Sequence, residues 1–469
     1  MHNQSGQGRI VVMTKIVVVG GDAAGASAAS QIKRRQPDFD VVVIERGQYT
    51  SYAACGLPYW VSGTIPTRES LIARSAAKHR ANGLDVRLDS EVIGLDPQRA
   101  VVRVVADGVE SDESYDQLII ATGASPIQPA IPGADAPNVV VIHSIPGTEY
   151  LMNRLSADQP RSAVVVGAGY IGIEMVEALR DRGLSVTVID AAPGPMVSLD
   201  PDMSALVAAE FANLGVTGVF GQAIAGIETD SNGVATAVTT DSGERFPADI
   251  VILALGVRPN AGFAAAAGLP VGRSGGLLTD RRQAVVGHAN IWAAGDVVET
   301  YHRLLRTTMH VPLGTHANKQ GRVVGVNVAG GYLTFPGIIG TAITRVGAAH
   351  IARTGLTEAQ AAAAGFATVS ARVATPVLAH YMPDHGTMHT KVLAERGTGR
   401  LLGGQIIGDH VGAAKRIDTL ATAIWSGWTA EDLTSMDLAY APPFSPVWDP
   451  VQVAARRAAD LAQSTNSAR

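Results

Sequence analysis

The sequence predicts an α/β protein: two doubly wound parallel-sheet units in succession, then a smaller α+β unit. Three observations carry this expectation. Short unbroken apolar runs at Lys15 to Gly20, Val41 to Ile44, Ala163 to Gly167 and Val186 to Ile189 read as strands buried on both faces, as parallel strands are. A glycine-rich turn and a helical stretch separate the members of each pair. From Leu333 onward, short alternating segments replace the unbroken runs.

The bulk properties bound the function. A chain of 469 residues exceeds what one core organises, so roughly two to four domains are expected. With 46% apolar and 17% charged residues the composition is that of a soluble globular protein. A net charge of −5 leaves no footprint for nucleic acid or an acidic membrane, and no apolar run approaches the ~18 residues of a membrane span. Residues 1–13 read as a disordered extension without the apolar core of a signal peptide. One cysteine excludes an intramolecular disulfide and fits a reducing cytoplasm. No metal site is expected.

The first unit runs from the Lys15 strand into Gly20-Gly21-Asp22-Ala23-Ala24-Gly25, then an alanine-rich helix over Ala26 to Arg35, then a strand ending at Glu45. Glycines let a backbone turn and a helix N-terminus approach a pyrophosphate, and an acid roughly 20 residues on accepts hydrogen bonds from a ribose. Asp22 stands where the motif has its second glycine, so an ordinary strand-to-helix turn stays open here. The second unit has the full pattern, Gly167-Ala168-Gly169-Tyr170-Ile171-Gly172, a helix with Glu174 and Glu177, and a strand ending at Asp190. An acid there favours the free 2′-hydroxyl of NADH, and Ala191, Ala192 and Pro193 offer no arginine for a 2′-phosphate, though NADPH is not excluded. Two Rossmann-like dinucleotide-binding units in one chain imply two dinucleotides, one kept and one exchanged.

Asp116 to Gly123 and Asp249 to Gly256 resemble each other, the same kind of strand in each unit. Asn290 to Asp296 ends an apolar strand in Gly295-Asp296; the aspartate either holds a hydroxylated chain beside a following helix or caps that helix. Strands are expected at Ala342 to Val346, Ala349 to Arg353, Thr368 to Val373, Lys391 to Ala394 and Leu401 to Ile407, with helices at Ala414 to Trp425 and Ala430 to Thr434. The stretch from Tyr440 to Asp449 is too rich in proline for either and must be held by packing or by a partner.

The only cysteine is Cys55, in Ser51-Tyr52-Ala53-Ala54-Cys55-Gly56-Leu57-Pro58-Tyr59. A lone cysteine is ordinarily a small buried apolar residue. A loop before it and an apolar helix-like run after it put Cys55 at a helix N-terminus, whose positive end favours the attacking thiolate.

Taken in order, the first glycine motif, the single-cysteine motif, Ala121-Thr122-Gly123, the second glycine motif, Gly295-Asp296 and the Tyr440 tail resemble the pyridine nucleotide–disulfide oxidoreductases. They are most similar to the single-cysteine branch of coenzyme A disulfide reductases, NADH oxidases and NADH peroxidases, over nearly all of residues 14–460. The resemblance implies a FAD domain from residues 14–125 and 255–332, an NAD(P)H domain over 126–254 and an α+β dimerisation domain over 333–469. It assigns Gly20, Ala23, Ala24, Gly25, Glu45, Arg46, Thr122, Gly123, Gly256, Gly295 and Asp296 to the FAD side. It assigns Gly167, Gly169, Tyr170, Ile171, Gly172 and Asp190 to the NADH side. Cys55 becomes the flavin-linked nucleophile, assisted by Tyr381 and Tyr440, the latter reaching the site from the other subunit of a homodimer; packing at an interface is the other reading of both tyrosines. Gln31, Arg34, Ser51 and Asn318 would meet coenzyme A; a solvated basic helix end is the other reading of Arg34.

Departures sort the branches. Ala23 stands where oxidases and peroxidases carry a histidine, which points away from peroxide chemistry. Ala54 and Trp448 replace an asparagine and a lysine that some relatives turn to coenzyme A. The expected reaction is electron transfer from NAD(P)H through FAD to Cys55 and on to a small disulfide such as coenzyme A disulfide. Alternatives are an NADH oxidase or a polysulfide or persulfide reductase using the same cysteine, and a flavoprotein whose redox state gates a binding surface.

Overall fold

The computed structural model describes residues 13–464, and the expected extension over 1–13 lies outside them but for Met13. Two parallel five-stranded sheets repeat one plan. The first runs Ile291–Ala293, Gln117–Ile120, Lys15–Val19, Asp40–Ile44, Asp85–Arg87; the second runs Thr217–Phe220, Ser185–Asp190, Ser162–Val166, Ile250–Leu253, Val139–Val140. Valine and isoleucine fill the central strands, which are buried on both faces, as helix-covered parallel sheets require. The similarity between Asp116–Gly123 and Asp249–Gly256 has a structural counterpart. Asp116 accepts from the Lys15 backbone N–H at 2.7 Å and Asp249 from that of Ser162 at 2.9 Å, so each aspartate pins the start of its unit's first strand. Beyond Gly123 and Gly256 the chain forms Ala124–Pro126 and Val257–Pro259, which pair antiparallel and link the two units.

The C-terminal sheet is antiparallel, ordered Ala342–Val346, Ala349–Gly355, Leu401–Gly408, Thr387–Glu395, Thr368–Pro376. Helix Pro450–Gln463 packs its alanines (Ala454, Ala455, Ala458, Ala459, Ala462) into the core formed with this sheet. The sequence pattern missed this helix, although Asp449-Pro450 is a start signal: the Asp449 carboxylate accepts from the Val451 N–H at 2.9 Å and proline takes the first turn.

Three expectations need correction. The first helix begins at Ala23, not Ala26, because Asp22 in extended backbone is its N-cap. The expected helix over Ala414 to Trp425 is two, Val411–Ala414 and Ile417–Trp425. No helix begins at Asp296; the chain enters strand Val298–His302, so Asp296 is not an N-cap, and the helix that follows, Gly314–Val328, sets its first turn beside Gly295, where a Cβ would lie 3.5 Å from that of Ala317.

The long helix Gly314–Val328 lies against Ala23–Arg35 at close range. A Cβ at Gly321 would fall 2.3 Å from the Ala24 carbonyl oxygen and one at Gly325 2.7 Å from that of Ala28. Only glycine permits this approach, which brings the polar faces of both helices to one cleft. Among the described residues, no helix is long and apolar enough to cross a membrane.

Candidate active site

Each unit ends its first strand in a glycine turn of the same geometry. Gly20 and Gly167 both have φ of +102°. A Cβ at Gly25 or Gly172 would fall 1.9 Å from the carbonyl oxygen of Gly20 or Gly167, so each helix starts pressed onto its turn. The acids at the ends of the second strands hold these turns: Glu45 accepts from the Gly21 and Gly47 N–H groups at 2.7 and 2.8 Å, and Asp190 from those of Ala168 and Ala192 at 2.6 and 2.8 Å.

Over the strand ends of the first unit opens a cleft of about 400 Å³, bordered by Gly20, Glu45, Arg46, Thr122 and Asn260. Asn260 was not anticipated from sequence. Its side-chain amide donates to the Thr122 carbonyl at 2.9 Å, its carbonyl accepts from the Thr122 hydroxyl at 2.8 Å, and its N–H bonds the Gly123 carbonyl at 3.0 Å. Ala24 is buried and faces helix Gly314–Val328 rather than the cleft; a Cβ on Gly295, which has φ of +85°, would touch it at 3.0 Å. In the second unit Tyr170 and Ile171 open helix Tyr170–Asp181, and the Ser198 hydroxyl bonds that of Tyr170 at 3.5 Å. Gly256, at φ of +86°, accepts at its carbonyl from the Ile127 N–H at 3.0 Å in the link between units.

Cys55 sits between the two turns. Its loop is fixed on one side by the Tyr52 N–H donating to Asp22 at 3.1 Å and on the other by the Ala53 N–H donating to the Leu71 carbonyl at 2.8 Å. The short helix Leu57–Ser62 after it packs on helix Tyr170–Asp181 of the second unit, and the Arg182 guanidinium donates to the Val61 carbonyl at 2.6 Å. Cys55 lies in the 3-10 turn Ala54–Gly56 rather than in the helix itself, and Gly56 is the N-cap. The sulfur is exposed, yet the walls around it desolvate it; this burial, followed by the negative charges of Glu174 and Asp296, pushes the thiol above its ordinary value. The expected lowering by a helix N-terminus is therefore corrected: the chain's own carboxylates outweigh the one favourable backbone contact. Burial also raises Glu174, which accepts from the Thr344 hydroxyl at 3.0 Å, and Asp296.

A second cleft, of about 510 Å³, runs from the cysteine loop at Ser51 and Ala53 to the basic end of the first helix. Gln31, Arg34, Ser51 and Asn318, scattered in sequence, all line it. Arg34 donates to the Gln31 side chain at 2.8 Å and Asn318 accepts from the Ser27 hydroxyl at 2.8 Å. Arg74 and Arg322 line it too and were missed from sequence, because only folding carries them there. None of the three arginines makes an ion pair among the described residues.

Tyr381 and Tyr440 meet each other through their hydroxyls and both are exposed. The groups acting most strongly on Cys55 within the chain do not include either. The tail that bears Tyr440 is held by Arg416, which bonds Asp449 at 2.8 Å and the Phe444 carbonyl at 2.6 Å, while Phe444, Val447 and Trp448 stay exposed. Arg456 lies over the Trp448 ring at 5.1 Å, so the position that lacks a lysine still has a cation beside it. Among the described residues, no cluster of side chains suits a metal ion.

Comparison with known proteins places the chain. Residues 14–321 match the family model for pyridine nucleotide-disulphide oxidoreductase, and residues 341–450 match the dimerisation domain of the same family. An NAD(P)H coenzyme A polysulfide/persulfide reductase of Pyrococcus horikoshii is 37% identical over 94% of this chain and 98% of its own. A coenzyme A disulfide reductase of Staphylococcus epidermidis is 29% identical over 92% and 97%. The solved NAD-dependent persulfide reductase from A. fulgidus superposes with a TM-score of 0.93 and 36% identity, over 96% of this chain and 84% of that one.

Proposed function

Because the chain belongs to the pyridine nucleotide-disulphide oxidoreductase family, it is an oxidoreductase that uses FAD and NAD(P)H, and we propose that Cys55 delivers their electrons to the sulfur–sulfur bond of a coenzyme A-bearing acceptor. The observation that carries this reading is the cleft that joins Arg34, Arg74, Arg322, Gln31, Ser51 and Asn318 to the cysteine loop. Guanidinium groups that make no ion pair suit phosphates, and the cleft that holds them reaches the cysteine loop.

The residues present fit both dinucleotides. In the first unit, residues 14–125 with 255–332, the glycine turn, Glu45, Arg46, Thr122 and Asp296 would hold FAD. In the second, residues 126–254, Gly167, Gly169, Gly172 and Asp190 would hold NADH in preference to NADPH. FAD, when bound, supplies a two-electron relay between nicotinamide and sulfur. Cys55 Sγ, as thiolate, attacks one sulfur of the acceptor; the sulfur–sulfur bond breaks, one thiolate leaves with the electron pair and takes a proton, and Cys55 keeps the other sulfur as a mixed disulfide. Two electrons and a proton then release the second thiol. With no second cysteine in 469 residues, the acceptor itself must supply the partner sulfur.

Residues 333–469 would form the dimerisation domain, and the exposed apolar tail around Tyr440 suits burial against a second subunit, where Tyr440 and Tyr381 would protonate the leaving thiolate. A single cysteine without disulfide use is in keeping with a cytoplasmic enzyme.

The test is stoichiometric. Anaerobic oxidation of NADH with coenzyme A disulfide is expected to yield two thiols per NADH, and Cys55→Ser to lower that rate by about 10³-fold or more while retaining flavin. Turnover that needs oxygen and releases no thiol overturns the proposal. The persulfide reading is favoured by the 37% identical Pyrococcus relative, and it is chosen over the disulfide if coenzyme A persulfide yields sulfide faster than the disulfide yields thiol.

A further inference from the structure

Ser51 borders the arginine-lined cleft, and its backbone is fixed on every side. It has φ of +48°, a left-handed conformation that a serine adopts only when its surroundings impose it. Its N–H donates to the Gly21 carbonyl at 3.2 Å, and its carbonyl accepts from the N–H groups of Ala73 and Arg74 at 2.9 and 3.3 Å. The side-chain hydroxyl is held by His79. His79 lies in helix Ala76–Ala81, is 2% exposed, and places Nε2 2.9 Å from Ser51 Oγ. Its other nitrogen, Nδ1, is buried with no partner among the described residues, so Ser51 is the only side chain this imidazole serves. Burial, and then the charge of Arg74, hold the ring below its ordinary value and hence neutral.

We propose that His79 is a positioning residue for substrate specificity: it donates from Nε2 to Ser51 Oγ and so commits the Ser51 O–H to donate into the cleft. This rests on the coenzyme A reading of that cleft. The reasoning is one of matching donors to acceptors. The guanidinium groups of Arg34, Arg74 and Arg322 make an anion the preferred occupant, and an anion takes donors only. If His79 instead accepted the serine proton, Ser51 would present lone pairs to that anion. The tautomer carrying its proton on Nε2 makes all the polar groups of this wall agree. The imidazole thereby selects anionic over neutral acceptors without touching either.

The experiment measures coenzyme A binding to the flavin-loaded enzyme by calorimetry, together with KM and kcat for coenzyme A disulfide and for a small neutral disulfide. His79→Phe fills the same space without a hydrogen bond, and His79→Gln restores an N–H at the reach of Nε2. The expected result is a rise of about 5-fold to 10-fold in Kd and KM for the coenzyme A ligands in His79→Phe, with kcat moved less than 2-fold, and near-complete recovery in His79→Gln. KM for the neutral disulfide should stay within 2-fold. In a Ser51→Ala background His79→Phe should add nothing further. Unchanged Kd in His79→Phe overturns the proposal, as does an equal loss in the Ser51→Ala background, which marks a merely structural residue. Failure of the unaltered enzyme to bind coenzyme A overturns the reading of the cleft itself, a result distinct from either.

Discussion

The two glycine turns of this chain share a backbone and differ at the four residues between their outer glycines, above all at the helix N-cap, Asp22 against Gly169. In both, the first glycine has φ of +102°, the last lies under its carbonyl, and an acid from the next strand holds the turn. In both, the helix N-cap is an extended residue: Asp22 with φ of −99° in the first, Gly169 with φ of −79° in the second. At Gly169 a Cβ would meet nothing within 4 Å, so the helix end is open to a ligand. Asp22 instead fills that place with a carboxyl that receives the Tyr52 N–H and so ties the turn to the cysteine loop. The lesson is a division of labour on one frame. One turn is tied to the cysteine loop, and the other leaves its helix end clear.

The comparison breaks most visibly at the glycines under the helices. Gly25→Ala and Gly172→Ala each force a Cβ to 1.9 Å from a carbonyl oxygen, an overpacking expected to cost about 3 kcal/mol or more. Gly172→Ala should retain flavin absorbance but lose reduction by NADH, and Gly25→Ala should purify without flavin. Loss of both properties in both variants would mean that the units do not act separately.

A smaller effect is expected at Asp22, whose carboxyl burial raises from 3.8 to about 6, with Glu45 and Asp296 adding to it. The folded protein then binds the proton more tightly than the unfolded chain, so stability from this group is present below pH ~4 and is lost as pH rises through about 6. Asp22→Asn should therefore be more stable than the unaltered protein at pH 8, by at most about 3 kcal/mol, and should lose that advantage near pH 4. Thermal melts across this range decide it. Smallest is Gly169→Ala, which meets open space and should change stability by less than about 0.5 kcal/mol. Where this turn holds NADH as proposed, the added methyl group would crowd its pyrophosphate, so KM for NADH should rise about 10-fold with flavin content unaffected.

Much of the fold was legible because the signals were local. Unbroken valine and isoleucine runs marked the parallel strands, and spacing alone paired each glycine turn with its acid. Helices Gly314–Val328 and Pro450–Gln463 were not legible. The first mixes asparagine, glutamine and glycine in a pattern of weak propensity, and only its packing on Ala23–Arg35 explains it. The second is stabilised by burial of alanines that sequence alone does not distinguish from a solvated helix. Within the site, Gln31, Arg34, Ser51 and Asn318 were found through resemblance, whereas Arg74, Arg322, Asn260 and His79 belong to no motif and gain meaning from what stands opposite them.

The sequence by itself determined the two turns, the lone cysteine and the order of the three units, because each depends on neighbours a few residues apart. The state of the cysteine was decided by tertiary structure. A helix after Cys55 suggested a stabilised thiolate, but the folded chain walls in the sulfur and desolvates it, then sets Glu174 of the second unit and Asp296 of the first near it, and so pushes its proton affinity up. Charges brought together from positions 55, 174 and 296 act through space, and nothing in the local sequence of any one of them records the others.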